Sequence, residues 1–158
     1  RVFMKIRNLI FIFVTLICVV GLYLLLDFEK DYSKLSMEEL HELAQKEDAE
    51  AQGMLAYYFQ EGIGVEVDSV ESLKWYVNSA NNGNTSAMVN LAYLYGNGIG
   101  VEKDLTKAFD WNLKAAKSGD SSGMFNVGKK YELGIGVAKD IEKANYWLEK
   151  AKKAKGSL

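Results

Sequence analysis

The side chains that most often carry catalysis are scarce in this chain. Its 158 residues include one histidine, His41, and one cysteine, Cys18. A serine nucleophile would need His41 as its base, and the neighbouring Glu38, Glu39 and Glu42 have the pattern of a solvated helix face. No H-E-x-x-H motif, cysteine pair or acidic cluster offers a metal cage. We therefore predict a protein that is not an enzyme and holds no metal or cofactor, with a hydrolase built on His41 as a remote alternative.

A second candidate for chemistry is the tetrapeptide GIGV, which occurs at residues 62–65, 98–101 and 134–137. A dinucleotide-binding loop reads G-x-G-x-x-G and joins a strand to a helix. In all three copies valine or lysine stands at the third glycine position, and a helical pattern precedes the tetrapeptide. The copies therefore predict hinges: the first glycine ends a helix in the left-handed conformation, and the second lets the chain reverse.

The hinges belong to a longer internal repeat with a step of 36 residues. Repeats with periods of 20–50 residues are typical of solenoids and other arrays. An alignment on GIGV places identical or similar residues in many columns at once. The tryptophan, aspartate and aromatic columns are Trp75, Trp111 and Trp147; Asp68, Asp104 and Asp140; and Phe59, Tyr95 and Tyr131.

Each unit is predicted to form two helices. In the first unit Ala51, Leu55 and Phe59 step by four residues and therefore share one face. Asp48, like its equivalents Asn84 and Asp120, has the position of an N-cap. The second helix begins after Asp68 or its equivalent, and its tryptophan and the small residues at positions 69, 72 and 79 predict a buried face.

These columns resemble the Sel1-like repeat, a relative of the tetratricopeptide repeat. The residues that carry the resemblance include AEAQ, YFQEGIGV and SLKWY within 49–83, and GIGV with Trp111 in the second unit. The chain departs from the family pattern in lacking the hinge proline and in placing Asn112 after the tryptophan. The resemblance implies an all-α fold, an α/α solenoid of three helical hairpins whose first helices line a concave wall. It also implies a scaffold, a regulator of signalling proteins or an immunity protein.

An apolar run, residues 9–26, precedes the repeats. As a helix it would span about 27 Å, close to the ~30 Å hydrocarbon core of a bilayer. Arg1, Lys5 and Arg7 lie before it and acidic residues follow it, so the positive-inside rule places the body across the membrane. We predict an uncleaved transmembrane signal anchor in the inner membrane, with residues 1–8 in the cytoplasm and the body in the periplasm. The alternatives are a cleaved signal with a soluble extracytoplasmic body, or a location in the ER lumen.

The part of the chain after the anchor divides into a leading segment and three repeats. Leu40, Leu43 and Ala44 give the leading segment the buried face of a degenerate capping helix. Four lysines near the C-terminus predict a basic cap at the other end. The predicted parts are the linker and capping helix at 27–48, repeat 1 at 49–83, repeat 2 at 84–119, and repeat 3 with the basic cap at 120–158.

The predicted function is binding of another protein. The formal net charge is −2 and no basic stripe is present, so nucleic acid is not expected as a partner. The predicted contact surface consists of aligned positions in the first helices where the side chain is large in every unit but differs in type between units. An adaptor with an unknown protein partner is the leading hypothesis, and a module that binds cell-wall glycan or peptide through exposed tyrosines is the alternative. The predicted contact residues are Met54, Tyr57, Tyr58, Asn90, Tyr93, Leu94, Asn126, Lys129 and Lys130.

Overall fold

The computed structural model describes residues 31–156, and within them the chain is built from α-helices without strands. A 3-10 turn at Tyr32–Lys34 precedes the first α-helix. The seven α-helices of this part of the chain are α1 (Met37–Gln45), α2 (Ala49–Glu61), α3 (Ser69–Asn81), α4 (Thr85–Asn97), α5 (Leu105–Lys117), α6 (Ser121–Leu133) and α7 (Ile141–Lys155).

The predicted signal anchor at 9–26 and its flank at 1–8 lie outside the described residues. Among the helices between residues 31 and 156, none is both long enough and apolar enough to cross a membrane. The anchor therefore stays a prediction from the sequence.

Each helix packs mainly on its neighbours in the sequence, which confirms the predicted all-α solenoid. Hairpins α2–α3, α4–α5 and α6–α7 are the three repeats, and α1 packs on α2 in place of a preceding second helix. Each core cluster lies around a junction between helices: Leu40 and Leu55 belong to the first, Leu91 to the second and Val127 to the third. Contacts that are confined to helices adjacent in the sequence are typical of repeat arrays.

The predicted N-caps are confirmed at both helices of each repeat. In every case the side chain accepts a hydrogen bond from a backbone N–H in the first turn, at 2.7–3.0 Å. The N–H of Lys107 holds the pKa of Asp104 below its ordinary value, and the Lys143 side chain does the same for Asp140. The six caps are Asp48, Asp68, Asn84, Asp104, Asp120 and Asp140.

The two glycines of each hinge have different roles. The first, such as Gly98 with φ 73°, is the left-handed C-cap of the first helix, as predicted. The second does more than let the chain reverse. A methyl group on Gly100 would overlap the carbonyl oxygen of Ser69, and one on Gly136 would overlap that of Leu105. Each inner hinge therefore lies directly against the start of the second helix of the preceding repeat.

The buried face of the second helices differs in part from the prediction. Positions 72 and 79 and their equivalents are buried, but Leu105 and Ile141, which are equivalent to position 69, are exposed. The carbonyl of Leu105 meets the hinge of the next repeat, while its side chain remains in water. The tryptophans are partly buried and pack against the core clusters, and Lys114 lies 3.7 Å from the centre of the Trp111 ring.

The predicted capping helix corresponds to α1. A capping box begins it, because Ser36 accepts from the N–H of Glu39 and the Glu39 carboxylate accepts from the N–H of Ser36. Leu40 and Ala44 are fully buried against α2. After α1, Glu47 has a φ of 64°, at the position where the later units have a glycine. It is the one non-glycine residue with positive φ among the described residues.

Candidate protein-interaction surface

The exposed side of α2, α4 and α6 carries several large side chains at equivalent or neighbouring positions. Tyr57 is 44% exposed and Tyr93, its equivalent in the second repeat, is 57% exposed. Both were predicted as contact residues. We call this exposed side the first-helix face. Its large side chains are Tyr57, Tyr93, Phe125, Lys129 and Leu133.

Two predicted contact residues of the first repeat belong largely to the core. Met54 and Tyr58 are partly buried and pack against the cluster formed by α1 and α2. The ring of Tyr58 is also tilted against that of Tyr57, with 6.4 Å between the centroids. Tyr57 is therefore the most exposed of the three predicted contact residues in repeat 1, and the ring of Tyr58 packs beside its ring.

The prediction for Leu94 is wrong. Its side chain is fully buried, and it packs with Tyr76 and Leu91 in the cluster around α4. Sequence equivalence to Tyr58 and Lys130 placed it on the surface, but the column lies near the boundary of the buried face. An apolar side chain at such a boundary position turns inward and removes its surface from water.

The predicted asparagines join repeats to each other. Asn126 on α6 donates to the Oδ1 atom of Asn112 at 3.1 Å, and Asn112 donates to the carbonyl of Ala108 at 3.0 Å. At the preceding junction Asn90 lies beside the hydroxyl of Tyr76, which has no hydrogen bond of good geometry. These positions are therefore part of the repeat junctions. Both side chains are only partly buried, so their predicted role as contact residues stays a prediction.

Burial also perturbs the ionisable groups at and near the face. Burial raises the pKa of Tyr76 to about 12, and the amide of Asn90 offsets part of that effect. The pKa of Lys130 is lowered because its ammonium group is partly removed from water. Lys129 is partly exposed and forms an ion pair with Glu132. The charge of Lys129 is therefore balanced by Glu132 on the same helix.

Sequence reasoning missed Phe125 and Leu133. Phe125 is 52% exposed and lies one turn before Lys129, and Leu133 lies one turn after it. The signal was present: Gly53 and Val89 are the equivalents of Phe125, so a large ring appears only in the third repeat. The face is thus acidic around Glu50 and Glu61 of repeat 1. In repeat 3 it is apolar at Phe125 and Leu133, and Lys129 is ion-paired with Glu132.

The remote hydrolase hypothesis gains no geometric support around His41. The imidazole is exposed and packs edge-on against Trp75, with 5.4 Å between the ring centres. Between residues 31 and 156, no three His, Cys, Asp or Glu side chains come together as a metal site would require. The prediction that the chain is not an enzyme stays a prediction.

Comparison with known proteins places the repeats in one family. The Sel1 repeat family matches residues 49–84, 85–120 and 121–155. Proteins with these repeats generally mediate protein–protein interaction. No match was found among curated proteins.

Three of the solved structures with a similar fold are of bacterial proteins. A Sel1 repeat protein from Oxalobacter formigenes is 36% identical, with a TM-score of 0.69 over 77% of this chain and 96% of that one. The protective antigen c5321 of uropathogenic Escherichia coli is 28% identical, with a TM-score of 0.72 over 73% of this chain; the match spans 25% of the antigen. Helicobacter pylori cysteine rich protein B, at 23% identity and a TM-score of 0.59 over 79% of this chain and 98% of that one, shares the fold.

Proposed function

Because the chain belongs to the Sel1 repeat family, we propose that it is a membrane-anchored, extracytoplasmic adaptor that binds a partner protein on the first-helix face. The observation that carries the proposal is the pair Tyr57 and Tyr93, at equivalent positions of successive repeats and about half exposed. Tyrosine is enriched at protein interfaces because its ring offers a large apolar area and its hydroxyl a hydrogen bond.

The charge distribution along the first-helix face predicts the charge of the partner's surface and its orientation along the repeats. Glu50 and Glu61 are exposed in repeat 1. In repeat 3 Phe125 and Leu133 are exposed, and the charge of Lys129 is balanced by Glu132. Complementary charge speeds association and fixes register across an interface. The expected partner is therefore basic where it meets repeat 1, and apolar where it meets repeat 3.

A capture experiment tests the face. The compact unit Tyr32–Leu158 is immobilised and its retained proteins are compared with those of a Tyr57→Ala/Tyr93→Ala variant. We expect the variant to lose the partner, with a fall in affinity of roughly tenfold or more because truncation of a well-packed interface tyrosine costs about 1–2 kcal/mol. Tyr146→Ala is the matched control, because Tyr146 is 55% exposed on α7. Equal capture by wild type and the double variant rejects the first-helix face.

A second candidate is binding of cell-wall glycan or peptide. The same exposed tyrosine rings favour it, because aromatic faces stack on the apolar faces of sugars. Titration of purified muropeptides against the intrinsic fluorescence of the Tyr32–Leu158 unit tests this candidate. A saturable change that is lost in Tyr57→Ala/Tyr93→Ala favours glycan binding, and a flat titration leaves a protein partner.

The anchor and the location rest on residues 9–26 and their charged flanks. We propose a single membrane pass with the repeats in the periplasm. Reporter domains fused after residue 158, one active only outside the cytoplasm and one only inside it, test the orientation. An active cytoplasmic reporter rejects the extracytoplasmic assignment. Whether the adaptor is a scaffold, a signalling regulator or an immunity protein depends on the captured partner.

We also propose that the protein is not an enzyme. Exposure of His41 and its contact with Trp75 support this, because a general base is held within hydrogen-bonding reach of its nucleophile. An assay with acyl-ester and amide substrates tests the proposal. Hydrolysis that disappears in His41→Ala would establish the hydrolase alternative instead.

A further inference from the structure

The C-terminal end of the array has a groove between α6 and α7. Its volume is about 630 Å³. Ser121 and Phe125 line it from α6, and Leu148, Ala151, Lys152 and Lys155 line it from α7. Phe125 belongs to both the groove and the first-helix face, whereas Tyr57 and Tyr93 do not line the groove. The inference drawn from the groove does not depend on the proposed function.

The equivalent positions one repeat earlier form the seat of a helix. There α6 lies across α4 and α5: Gly123 packs directly on Ala115 and Ala116, and Asn126 donates to Asn112. The N-cap carboxylate of α6, on Asp120, accepts from the hydroxyl of Thr85 at 3.3 Å. The residues equivalent to Thr85, Asn112 and Ala115 are Ser121, Leu148 and Ala151. The terminal groove therefore continues an established helix–helix interface of the same molecule.

We propose that this groove binds an amphipathic α-helix of a partner protein, and that the first turn of that helix is acidic. The charge follows from two substitutions in the repeat pattern. Lys152 and Lys155 stand where the inner repeat has Ala116 and Gly119, at the place where the N-terminal turn of the seated helix lies. Acidic side chains in a first turn pair with these lysines and also interact favourably with the helix dipole.

The apolar part of the groove defines two more positions of the bound helix. Its third residue is small, because Ala151 takes the place of Ala115, on which Gly123 packs closely. Its sixth residue is apolar, because Leu148 takes the place of Asn112 and offers no hydrogen bond. The α1–α2 junction is built in this way, with Leu40 packed in one cluster with Met54.

The sequence of α2 itself has this pattern. Asp48 is the N-cap, Glu50 lies in the first turn, Ala51 is the small third residue and Met54 the apolar sixth. Within the molecule α1 already covers α2, so a second copy would have to displace α1 in order to use it. A helix of another protein binds without that cost, and a synthetic peptide with the sequence of residues 48–61 is the probe.

Fluorescence anisotropy of the labelled peptide tests the proposal on the compact unit Tyr32–Leu158. We expect saturable binding that Lys152→Glu/Lys155→Glu weakens by tenfold or more. Lys150→Glu is the matched control on the same helix, because Lys150 lies over the rings of Tyr146 and Trp147 at 5.3 and 5.2 Å. A peptide with Ala51→Leu and Met54→Asp is expected not to bind. The Tyr57→Ala/Tyr93→Ala protein is expected to bind the peptide normally, which separates the groove from the tyrosine pair of the first-helix face.

Three outcomes overturn the proposal. The first is a peptide that does not saturate, and the second is equal weakening by Lys150→Glu and by the groove variant. The third is dimerisation of Tyr32–Leu158 in analytical ultracentrifugation that Lys152→Glu/Lys155→Glu abolishes, since that would assign the groove to a second copy. Circular dichroism spectra of all variants, compared with wild type, verify that the helices are retained.

Discussion

The α5–α6 junction and the open side of α7 are built from equivalent positions and differ in chemistry. At the junction Asn112 and Asn126 are joined by a hydrogen bond, and Ala116 lets the next helix approach closely. On α7, Leu148 and Lys152 occupy the positions of Asn112 and Ala116. The α5–α6 junction is therefore held by close packing and a hydrogen-bonded amide pair, whereas the open side of α7 has an apolar surface beside positively charged lysines.

The other junctions extend this comparison. Leu40 packs with Met54 between α1 and α2, and Tyr76 lies beside Asn90 between α3 and α4. Each junction thus has its own pair of residues, although the backbone repeats. The amide pair Asn112–Asn126 has no identical counterpart at these two junctions. It disfavours packing of the repeats in another order, because a different neighbour would leave an amide without its partner.

The largest expected effect on stability is that of an alanine at the second hinge glycine, which should be much more destabilising at Gly136 than at Gly64. Gly64, Gly100 and Gly136 have nearly the same φ, near 70°, so an alanine meets the same backbone strain at each. At Gly136 the added methyl group also overlaps a carbonyl of the preceding repeat, while at Gly64 its nearest neighbour is Met37 Cγ at 3.7 Å. We expect Gly136→Ala to lower the free energy of unfolding by about 3 kcal/mol or more and Gly64→Ala by about 1 kcal/mol. Urea unfolding measures both, and equal losses would refute the role of the contact.

Alkaline pH is expected to weaken the α3–α4 junction. The pKa of Tyr76 is about 12 in the folded protein and about 10 in the unfolded chain. Because the pKa is higher in the folded protein, the protonated Tyr76 hydroxyl contributes its full stabilisation below pH 10. That stabilisation is lost as the pH rises toward 12, by up to about 1.4 kcal/mol per pH unit. Unfolding of wild type and Tyr76→Phe between pH 9 and 12 tests this. The variant should lose less stability, and parallel curves would contradict the prediction.

A double-mutant cycle converts the inner α5–α6 junction to the chemistry of the α1–α2 junction. Asn112→Leu alone leaves the amide of Asn126 without its partner, and we expect a loss of about 2 kcal/mol. Asn126→Met added to it restores an apolar pair like Leu40 and Met54, so the double variant should recover most of that loss. Additive effects in thermal or urea unfolding would show that the two side chains are not coupled.

The smallest expected effect is a gain in stability at the start of the array. Glu47 has a φ of 64° at the position where repeats 1 and 2 have Gly83 and Gly119. A non-glycine residue in this conformation costs about 1 kcal/mol, so Glu47→Gly should raise the free energy of unfolding by up to that amount. Gly83→Ala, where an added methyl group meets no atom within 4 Å, should lower it similarly. A loss of stability in Glu47→Gly would mean that its side chain makes a contribution of its own.

Local features were predictable from the sequence because their causes lie within one turn of the chain. The caps such as Asp104 and the hinge glycine Gly98 depend on backbone groups three or four residues away. The burial of Leu94, the pairing of Asn112 with Asn126 and the contact of Gly136 depend on how neighbouring repeats lie against each other. The spacing of residues in the sequence does not show how closely two repeats pack. The exposed positions were therefore predicted correctly at Tyr57 and Tyr93 but wrongly at Leu94.

The close contact of Gly100 and Gly136 with the preceding repeat has a mechanical consequence. Backbone touches backbone there, without a flexible side chain between the two units. Bending that pushes a hinge further into its neighbour meets hard repulsion at once, while bending in the opposite direction only opens a gap. We expect the array to resist bending that brings a hinge closer to the preceding repeat, and to bend more easily in the direction that moves the two apart.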